Sequence, residues 1–365
     1  MLSMIDLFAG CGGMTSGFVA TGGYRPVMAV EWDRHAAATY AANFGEDHMR
    51  WSDIAAVPDR EIPRADLIIG GPPCQGFSNL GSRDVNDPRN GLWREYLRFV
   101  RVARPAVFVI ENVDRFLSSA EFSLLRAETE GYQLSSGLLM AADFGVPQRR
   151  RRAIVIGSRI GPIPLPEPTH PRGSWHTVRD VLAGLPERPA TTALPKSTAR
   201  FFGTELPGRF KSLDLHVGRN PTPLSVRRYR HIPPGGGRFD LPDELLPRCW
   251  REKKTGTTDV MGRMRWDQPS LTIRTEFYKP EKGQYLHPQW EPGEDGHRVD
   301  RPITHLEAAR LQSFPDEFEW CGTKTEVARQ IGNAVPPLLA MAVARHLQPY
   351  LTGVTPSGDH CPLCR

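Results

Sequence analysis

Residues 4–13 read M-I-D-L-F-A-G-C-G-G, a short apolar run that ends in a glycine-rich turn. The apolar part has the length of one buried strand, and residues 14–21 after the glycines have helical composition. A strand, a glycine turn and a helix form the first unit of a doubly wound nucleotide-binding domain. The stretch therefore predicts an α/β fold on a parallel sheet, but it lacks the G-x-G-x-x-G spacing typical of a dinucleotide site.

An acidic residue closes the next apolar run, Val27–Val30. Glu31 follows Gly13 at close to the expected spacing of about 20 residues, where a carboxylate can accept hydrogen bonds from both hydroxyls of a ribose. Trp32 comes next. Its ring can lie against an adenine or simply pack as a core aromatic, and the sequence alone leaves both interpretations open.

A third apolar run, Ala65–Ile69, leads into G-G-P-P-C-Q-G-F-S at residues 70–78. The glycines and prolines stop any strand or helix, so Cys74 is expected on a rigid turn at the end of a strand. Ligands of open α/β sheets bind at that edge. A thiol there is a candidate nucleophile if positive charge or a helix N-terminus activates it, and a buried structural cysteine is the alternative.

Two further charged groups stand beside predicted buried strands. The run Ala106–Ile110 ends in Glu111, which is a second candidate catalytic group or a helix-capping acid. The sequence Q-R-R-R-R at residues 148–152 precedes the apolar run A-I-V-I-G. If the arginines begin that strand, alternation places Arg150 and Arg152 on one face.

Length and composition exclude several classes of protein. The chain has 365 residues, 39% hydrophobic and 24% charged, which suits one large and one smaller globular domain. It contains no apolar run long enough to span a membrane and no signal-peptide pattern at its start, so a cytoplasmic protein is expected. Six cysteines do not make a disulfide scaffold in a chain of this length.

Basic residues are concentrated in one segment. Residues 200–265 contain 14 lysines and arginines against 7 acids, although the net charge of the whole chain is only +5. Eight prolines between Gly161 and Pro195 mark a connector before this segment. A basic segment on a nearly neutral body indicates a polyanionic partner, with a solvated surface as the alternative.

These motifs, in this order, resemble those of the DNA cytosine-5 methyltransferases. Pro-Cys-Gln at residues 73–75 matches the family's catalytic motif, Glu-Asn-Val at 111–113 the next one, and Gln-x-Arg-x-Arg at 148–152 a third. Ile331–Pro337 resembles the last motif, which packs back onto the first. The resemblance implies a Rossmann-like domain that binds S-adenosyl-L-methionine and methylates a flipped-out cytosine in a specific double-stranded DNA sequence.

The resemblance also assigns roles to individual residues. The catalytic residues it implies are Cys74, whose thiolate attacks C6, Glu111, which grips the base at N3 and N4, and Arg150 and Arg152, which contact the base and nearby backbone. The residues that it places at the cofactor are Phe8, Gly10, Gly12, Gly13, Glu31, Trp32, Asp53, Ile54, Pro73, Leu92, Asn333 and Val335. No metal is expected.

The domains expected from the resemblance are discontinuous. Residues 1–165 and 322–352 form the catalytic domain, residues 166–321 form a smaller, mostly irregular and β target-recognition domain, and residues 353–365 form a disordered tail. The tail contains His360, Cys361 and Cys364, which make only half of a zinc site. Thr304 and Glu307 form a capping box that opens a helix in the recognition domain.

Three other functions remain open at this stage. One branch of the family methylates tRNA, but its Cys-Phe-Thr stretch is absent from this sequence. A non-catalytic DNA-binding protein and a nicotinamide oxidoreductase are the remaining alternatives. The preferred hypothesis is the monomeric modification enzyme of a restriction-modification system, with a cognate restriction endonuclease as its functional partner.

Overall fold

The computed structural model describes residues 1–73, 91–252, 255–293 and 296–353. Within these residues, seven strands form a central sheet. They are β1 (Leu2–Leu7), β2 (Tyr24–Glu31), β3 (Met49–Trp51), β4 (Leu67–Gly70), β5 (Val107–Asn112), β6 (Gln133–Met140) and β8 (Arg151–Ser158), with the two-residue β7 (Gln148–Arg149) lying outside the sheet.

The strand order is β3-β2-β1-β4-β5-β8-β6. Strands β1 to β5 are parallel, whereas β8 runs antiparallel between β5 and β6. The chain reverses its direction of winding between β1 and β4, where Leu7 lies opposite Gly70. Such a switch point leaves a crevice at the carboxyl ends of the strands. This topology confirms the expected Rossmann-like α/β fold.

Helices cover both faces of the sheet. On one face lies α3 (Leu92–Ala103), and on the other lie α1 (Gly13–Val19) and α10 (Pro337–Thr352). In β4, Ile68 packs toward α3, and Leu67 and Ile69 pack toward α10. Burial on both sides explains why the strand is a continuous apolar run. The other helices of this part are α2 (Arg34–Phe44) and α4 (Ala120–Glu128).

The two ends of the chain meet in the helix pair α1 and α10. A side chain at Gly17 would place its Cβ 2.3 Å from the carbonyl oxygen of Pro337 and 2.5 Å from the amide nitrogen of Met341. Only glycine allows the helices to approach this closely. The helix pair thus brings the two ends of the sequence together, and the division into domains remains a prediction.

The segment between the two parts is largely irregular, also as expected. Its described elements are the strands β9 (Thr198–Phe201), β10 (Thr204–Lys211), β11 (Ser270–Leu271) and β12 (Glu319–Cys321), and the helices α5 (Val178–Leu182), α6 (Pro223–Tyr229), α7 (Arg248–Glu252) and α8 (His305–Leu311). The helix α9 (Lys324–Asn333) follows this segment. The predicted boundary at residue 322 crosses a continuous core, since Trp320 packs in one cluster with Val327 and Ile331. The exact domain limits remain a prediction.

The capping box at the start of α8 is present. Thr304 Oγ1 accepts from the amide of Glu307 at 3.2 Å, and the Glu307 carboxylate accepts from the amide of Thr304 at 2.7 Å. Burial opposes ionisation of Glu307, but two hydrogen bonds from Arg301 outweigh it and lower its pKa to about 2. This buried pair fixes the start of α8.

Within the described ranges, no helix is long and apolar enough to cross a membrane, and no three His, Cys, Asp or Glu side chains are grouped as metal ligands. The tail residues His360, Cys361 and Cys364 lie outside the described residues.

Candidate active site

The carboxyl ends of β1, β2, β4 and β5 bring most of the predicted site residues to one edge of the sheet. This edge carries the turn of residues 8–13 after β1, Glu31 and Trp32 after β2, residues 71–73 after β4, and Glu111 at the end of β5. Parallel pairing of these four strands aligns their ends, so sequence motifs that are far apart become neighbours.

Glu31 joins the ends of β1 and β2. Its Oε2 accepts from the amide of Gly10 at 2.8 Å, and its Oε1 accepts from the amide of Asp33 at 2.8 Å. Burial raises the pKa of Glu31, and these two backbone donors oppose that rise. Each carboxylate oxygen keeps a second lone pair, so the group can still accept bonds from a diol.

The glycine turn leaves open space on one side and is tightly packed on the other. An added Cβ at Gly10 would meet no atom of the described residues within 4 Å, whereas one at Gly12 would lie 2.4 Å from the ring of Phe44. Gly12 also has a φ of +88°, which favours glycine. Phe8 adopts a φ of +56° in the same turn, and its half-buried ring packs against the sheet core.

An aromatic residue and an acidic residue follow the ends of β2 and β3. Trp32 is 77% exposed, so it is not the packed core aromatic that the sequence left open. Its carbonyl accepts a bond from the indole Nε1 of Trp51 at 3.0 Å. Asp53 caps a 3-10 turn by accepting from the amide of Ala55 at 2.9 Å, and the following residue, Ile54, is buried in the core.

Arg98 holds the turn that carries Asp53, and nothing in the sequence indicated this role. From α3 its guanidinium donates to the carbonyls of Ile54 at 2.8 Å and Val57 at 2.9 Å. It also pairs with Glu95 and Asp59. These partners are up to 44 residues away in sequence, which is why local patterns could not reveal them.

Asp6 is a buried acid beneath the glycine turn. It accepts a hydrogen bond from Thr15 Oγ1 at 2.6 Å. Burial raises the pKa of Asp6 to about 7, the Thr15 bond opposes the rise, and the nearby charge of Glu31 adds to it. The sequence offered Asp6 only as part of a motif and gave no sign of this coupling.

The turn that leads to the predicted nucleophile is tied to β5. Asn112 Nδ2 donates to the carbonyl of Pro72 at 2.9 Å, and Asn112 Oδ1 accepts from the amide of Val113 at 2.8 Å. Pro73 follows at the end of the described stretch. Cys74 itself lies outside the described residues, and the structure describes the chain only up to Pro73. Asn112 was not singled out from the sequence.

Glu111 and Arg152 form an ion pair at this edge. Arg152 Nε lies 2.9 Å from Glu111 Oε1, and both side chains are largely buried. The missing side chain at Gly71 leaves room for the Glu111 carboxylate, because an added Cβ there would come within 3.1 Å of Glu111 Oε2. The structure thus brings together two of the four residues predicted to be catalytic, at the end of β5 and beside β4, which leads into residues 71–73.

Arg150 occupies the break between β7 and β8. It is buried, and its guanidinium donates to the carbonyls of Ile273 at 3.0 Å and Gly332 at 3.1 Å. Arg150 therefore joins β8 to residues 270–273 and to the end of α9. Its contact with a base remains a prediction. Arg149 and Arg151 are exposed, as the predicted alternation required.

The last motif completes the site from the C-terminal side. An added Cβ at Gly13 would lie 2.4 Å from the carbonyl oxygen of Val335, so the glycine turn and this motif are in direct contact. Asn333 is exposed at the end of α9, and Leu92 is half-buried at the start of α3. Their predicted contacts with a cofactor remain predictions.

The positive charge of residues 200–265 is partly neutralised by acids from elsewhere in the chain. Arg209 pairs with Glu319 at 2.7 Å and Lys211 with Glu317 at 2.5 Å. Asp300 pairs with both Arg230, at 3.4 Å, and the buried Arg263, at 3.1 Å. Counting charged residues along positions 200–265 of the sequence thus overstates the number of cations in this segment that lack an acidic partner.

Comparison with known proteins adds independent evidence. A family model for C-5 cytosine-specific DNA methylase matches residues 2–349. The Type II methyltransferase M1.HphI of Haemophilus parahaemolyticus is 33% identical, over 94% of this chain and 86% of that protein. The Type II methyltransferase M.AgeI of Thalassovita gelatinovora is 30% identical, over 95% of this chain and 99% of that protein.

Solved structures share the architecture. A crystal structure of the S. pombe Dnmt2 methyltransferase has a TM-score of 0.58 with 18% identity, and the match covers 96% of this chain and 99% of that one. A crystal structure of a protein encoded within an E. coli prophage has a TM-score of 0.68 with 26% identity, covering 96% of this chain and all of the other.

Proposed function

The chain belongs to the C-5 cytosine-specific DNA methylase family and is a DNA cytosine-5-methyltransferase, and we propose that Cys74 and Glu111 carry the chemistry at the sheet edge described above. The observation that best supports this assignment is the Glu111–Arg152 pair at 2.9 Å. The pair lies beside a turn that Asn112 fixes just before Cys74.

The proposed methyl donor is S-adenosyl-L-methionine, which supplies an electrophilic methyl group on a sulfonium when it is bound. The residues present fit it. Glu31 retains acceptor capacity for two ribose hydroxyls, and the open space at Gly10 admits a ligand close to the backbone. The exposed ring of Trp32 offers a face for the adenine, and Asp53 is the candidate partner for the adenine amino group.

Cytosine C5 is too weak a nucleophile to be methylated directly. In the proposed mechanism the Cys74 thiolate forms a bond to C6, and the displaced electrons make C5 nucleophilic. In its protonated form, Glu111 donates a hydrogen bond or proton to N3 through Oε2 while Oε1 keeps its contact with Arg152, and this donation stabilises the charge that develops during attack. After C5 carries the methyl group, a base removes the C5 proton, and the C6–sulfur bond breaks to release Cys74.

Arg152 is proposed to act on Glu111. Its ion pair fixes the carboxylate orientation while the second oxygen, Oε2, stays next to Gly71. Because C6 lies inside a stacked duplex, the target base must leave the helix before this constellation can reach it. The recognition segment is proposed to hold the duplex through its basic side chains.

We further propose that the protein is the modification enzyme of a restriction-modification system. Its relatives M1.HphI and M.AgeI carry the name Type II methyltransferase. Methylation of a specific sequence would then protect cellular DNA from an endonuclease with the same target. We propose a monomer that acts in the cytoplasm.

The decisive experiment uses 5-fluorocytosine. Methylation-sensitive sequencing of DNA from expressing cells first identifies the target site. A target duplex with fluorine at C5 should then trap the enzyme as an adduct stable in denaturing detergent, because no proton remains for elimination to remove. The adduct should require S-adenosyl-L-methionine, and Cys74→Ala should form none while still binding the duplex.

Two outcomes would contradict the proposal. Peptide mapping of the adduct to a residue other than Cys74 would refute the mechanism even for an active methyltransferase. Methyl transfer to tRNA with none to duplex DNA would refute the proposed substrate. Glu111→Gln is a matched test of the second group, and it should form the adduct slowly because it keeps the shape and loses the proton.

A further inference from the structure

Arg238 of the recognition segment is buried without a hydrogen-bond acceptor. It is only 6% exposed, and in the part of the chain that the structure describes its Nε and Nη2 have no partner. Its guanidinium instead lies over the rings of Phe239, at 4.6 Å, and Trp250, at 5.9 Å. Burying donors of a charged group without acceptors is costly.

A nearby arginine shows what a structural role requires. Arg263 is fully buried, but it donates to backbone carbonyls, including those of Ile232 at 2.7 Å and His287 at 2.8 Å, and it pairs with Asp300. Arg238 has none of this support among the described residues. Its burial therefore points to an acceptor that comes from outside the chain.

The surroundings of Arg238 indicate which acceptor is suitable. The side chain lines an open cleft of about 670 Å³ together with Phe239, Trp250, Asp243 and Glu244. The two carboxylates balance the positive charges of Arg238 and Arg251, which also lines the cleft, so the cleft lacks the net positive charge that favours a phosphate. A G·C base pair suits the mixture, since guanine N7 and O6 accept from a guanidinium and the cytosine amino group donates to a carboxylate.

We propose that Arg238 is a specificity-determining residue that donates to N7 and O6 of one guanine in the target duplex. The aromatic rings hold the guanidinium in the unbound protein, and it leaves them for the edge of the base. A carboxylate of the same cleft accepts from the amino group of the paired cytosine. This inference rests on the proposed function, because it assumes that duplex DNA is the substrate.

The test replaces each guanine of the target duplex, one at a time, with 7-deazaguanine, which pairs normally but lacks the N7 acceptor. Wild-type affinity should fall by about tenfold at one position. Arg238→Met removes the donors and keeps an apolar stem beside the rings. It should bind the natural duplex about tenfold more weakly and should show no further loss with 7-deazaguanine at that position.

Arg248→Met is the matched control. Arg248 lies on α7, is exposed and pairs with Glu252. The loss of DNA affinity caused by Arg248→Met should therefore add to the loss caused by 7-deazaguanine at every position. Arg238→Met should unfold at the same temperature as the wild type or higher, because it removes an unsatisfied buried charge. If that variant does not fold, Arg238→Gln, whose side-chain amide presents one acceptor and one donor group in place of two parallel donors, serves in the same scan.

Independent effects of Arg238→Met and 7-deazaguanine at every guanine would overturn the proposal. The proposal would also be overturned if Arg238→Met bound all duplex sequences equally weakly and its loss of folding stability accounted for that weaker binding. These outcomes concern Arg238 only. A wild-type protein that methylates no duplex DNA would instead overturn the proposed function.

Discussion

Glu31→Gln tests the ribose site with the smallest change in shape. Both carboxylate oxygens accept from backbone amides, Oε2 from Gly10 and Oε1 from Asp33, each at 2.8 Å. Glutamine has one acceptor oxygen and one donor nitrogen, so one of these amides would face another donor. The turn should lose one charge-assisted hydrogen bond, worth about 1.5–3 kcal/mol.

The affinity for the cofactor should also fall, because one ribose hydroxyl would lose its hydrogen-bond acceptor. A loss of about 1–3 kcal/mol corresponds to an S-adenosyl-L-methionine Kd that is roughly five- to 150-fold higher. Isothermal titration calorimetry measures this directly. DNA affinity without cofactor should change little, since Glu31 lies at the sheet edge and not in the basic segment.

Glu61→Gln provides the control, because Glu61 is an exposed acid of the same domain. Its Kd for the cofactor should match that of the wild type. An unchanged Kd for Glu31→Gln would refute the ribose assignment. The thermal unfolding of the cofactor-free variant should be measured as well. If its loss of stability accounts for the whole rise in Kd, Glu31 supports the turn and does not contact the ligand.

Three further predictions concern stability and charge. Since Asp6 has a pKa of about 7 in the folded protein, above its value of about 3.9 in an unfolded chain, the free energy of unfolding should fall between pH 5 and 7 by up to about 1.4 kcal/mol per pH unit. Denaturant titrations should find a smaller pH dependence for Asp6→Asn, and equal slopes would contradict this argument. Gly17→Ala should destabilise the protein by about 1–3 kcal/mol, because the new Cβ would meet backbone atoms of α10. Gly173→Ala, whose Cβ would meet no atom of the described residues within 4 Å, is the thermal-unfolding control, and equal melting temperatures for both variants would argue against the close helix contact. Replacing Arg227, Arg228 and Arg230 with Gln should reduce the slope of log Kd against log salt by about one to three in fluorescence anisotropy with duplex DNA. The lower value is expected if only the exposed Arg227 reaches phosphate, since Arg228 donates to Leu245 and Arg230 pairs with Asp300, and an unaltered slope would place the DNA elsewhere.

The sequence predicted those parts of the site that follow from the local order of the chain. Glycines and prolines after apolar runs marked the ends of β1 and β4, and the structure confirms both. The Thr304–Glu307 capping box is also present, because its partners are only three residues apart. The alternation of residues 149–152 survives even though a strand break falls at Arg150, since alternate side chains still point to opposite sides.

Contacts between distant segments could not be predicted. The bond from Asn112 to Pro72 spans 40 residues and the bond from Arg150 to Gly332 spans 182. Each depends on which strand ends become neighbours, and no local pattern encodes that. The basic segment shows the same limit, since Glu317 and Glu319 reach it only through the pairing of β12 with β10.

The contact between Gly13 and Val335 has a consequence for the timing of synthesis. The two residues are separated by most of the chain, so the ribosome makes the glycine turn long before the motif that closes it. At about 5–20 residues per second, the delay is on the order of 15–60 s. During that interval a nascent chain already contains Cys74 and Glu111 but lacks Val335, which packs against the glycine turn. If the cofactor binds at that turn, as proposed, a chain released before Val335 is made should not methylate DNA.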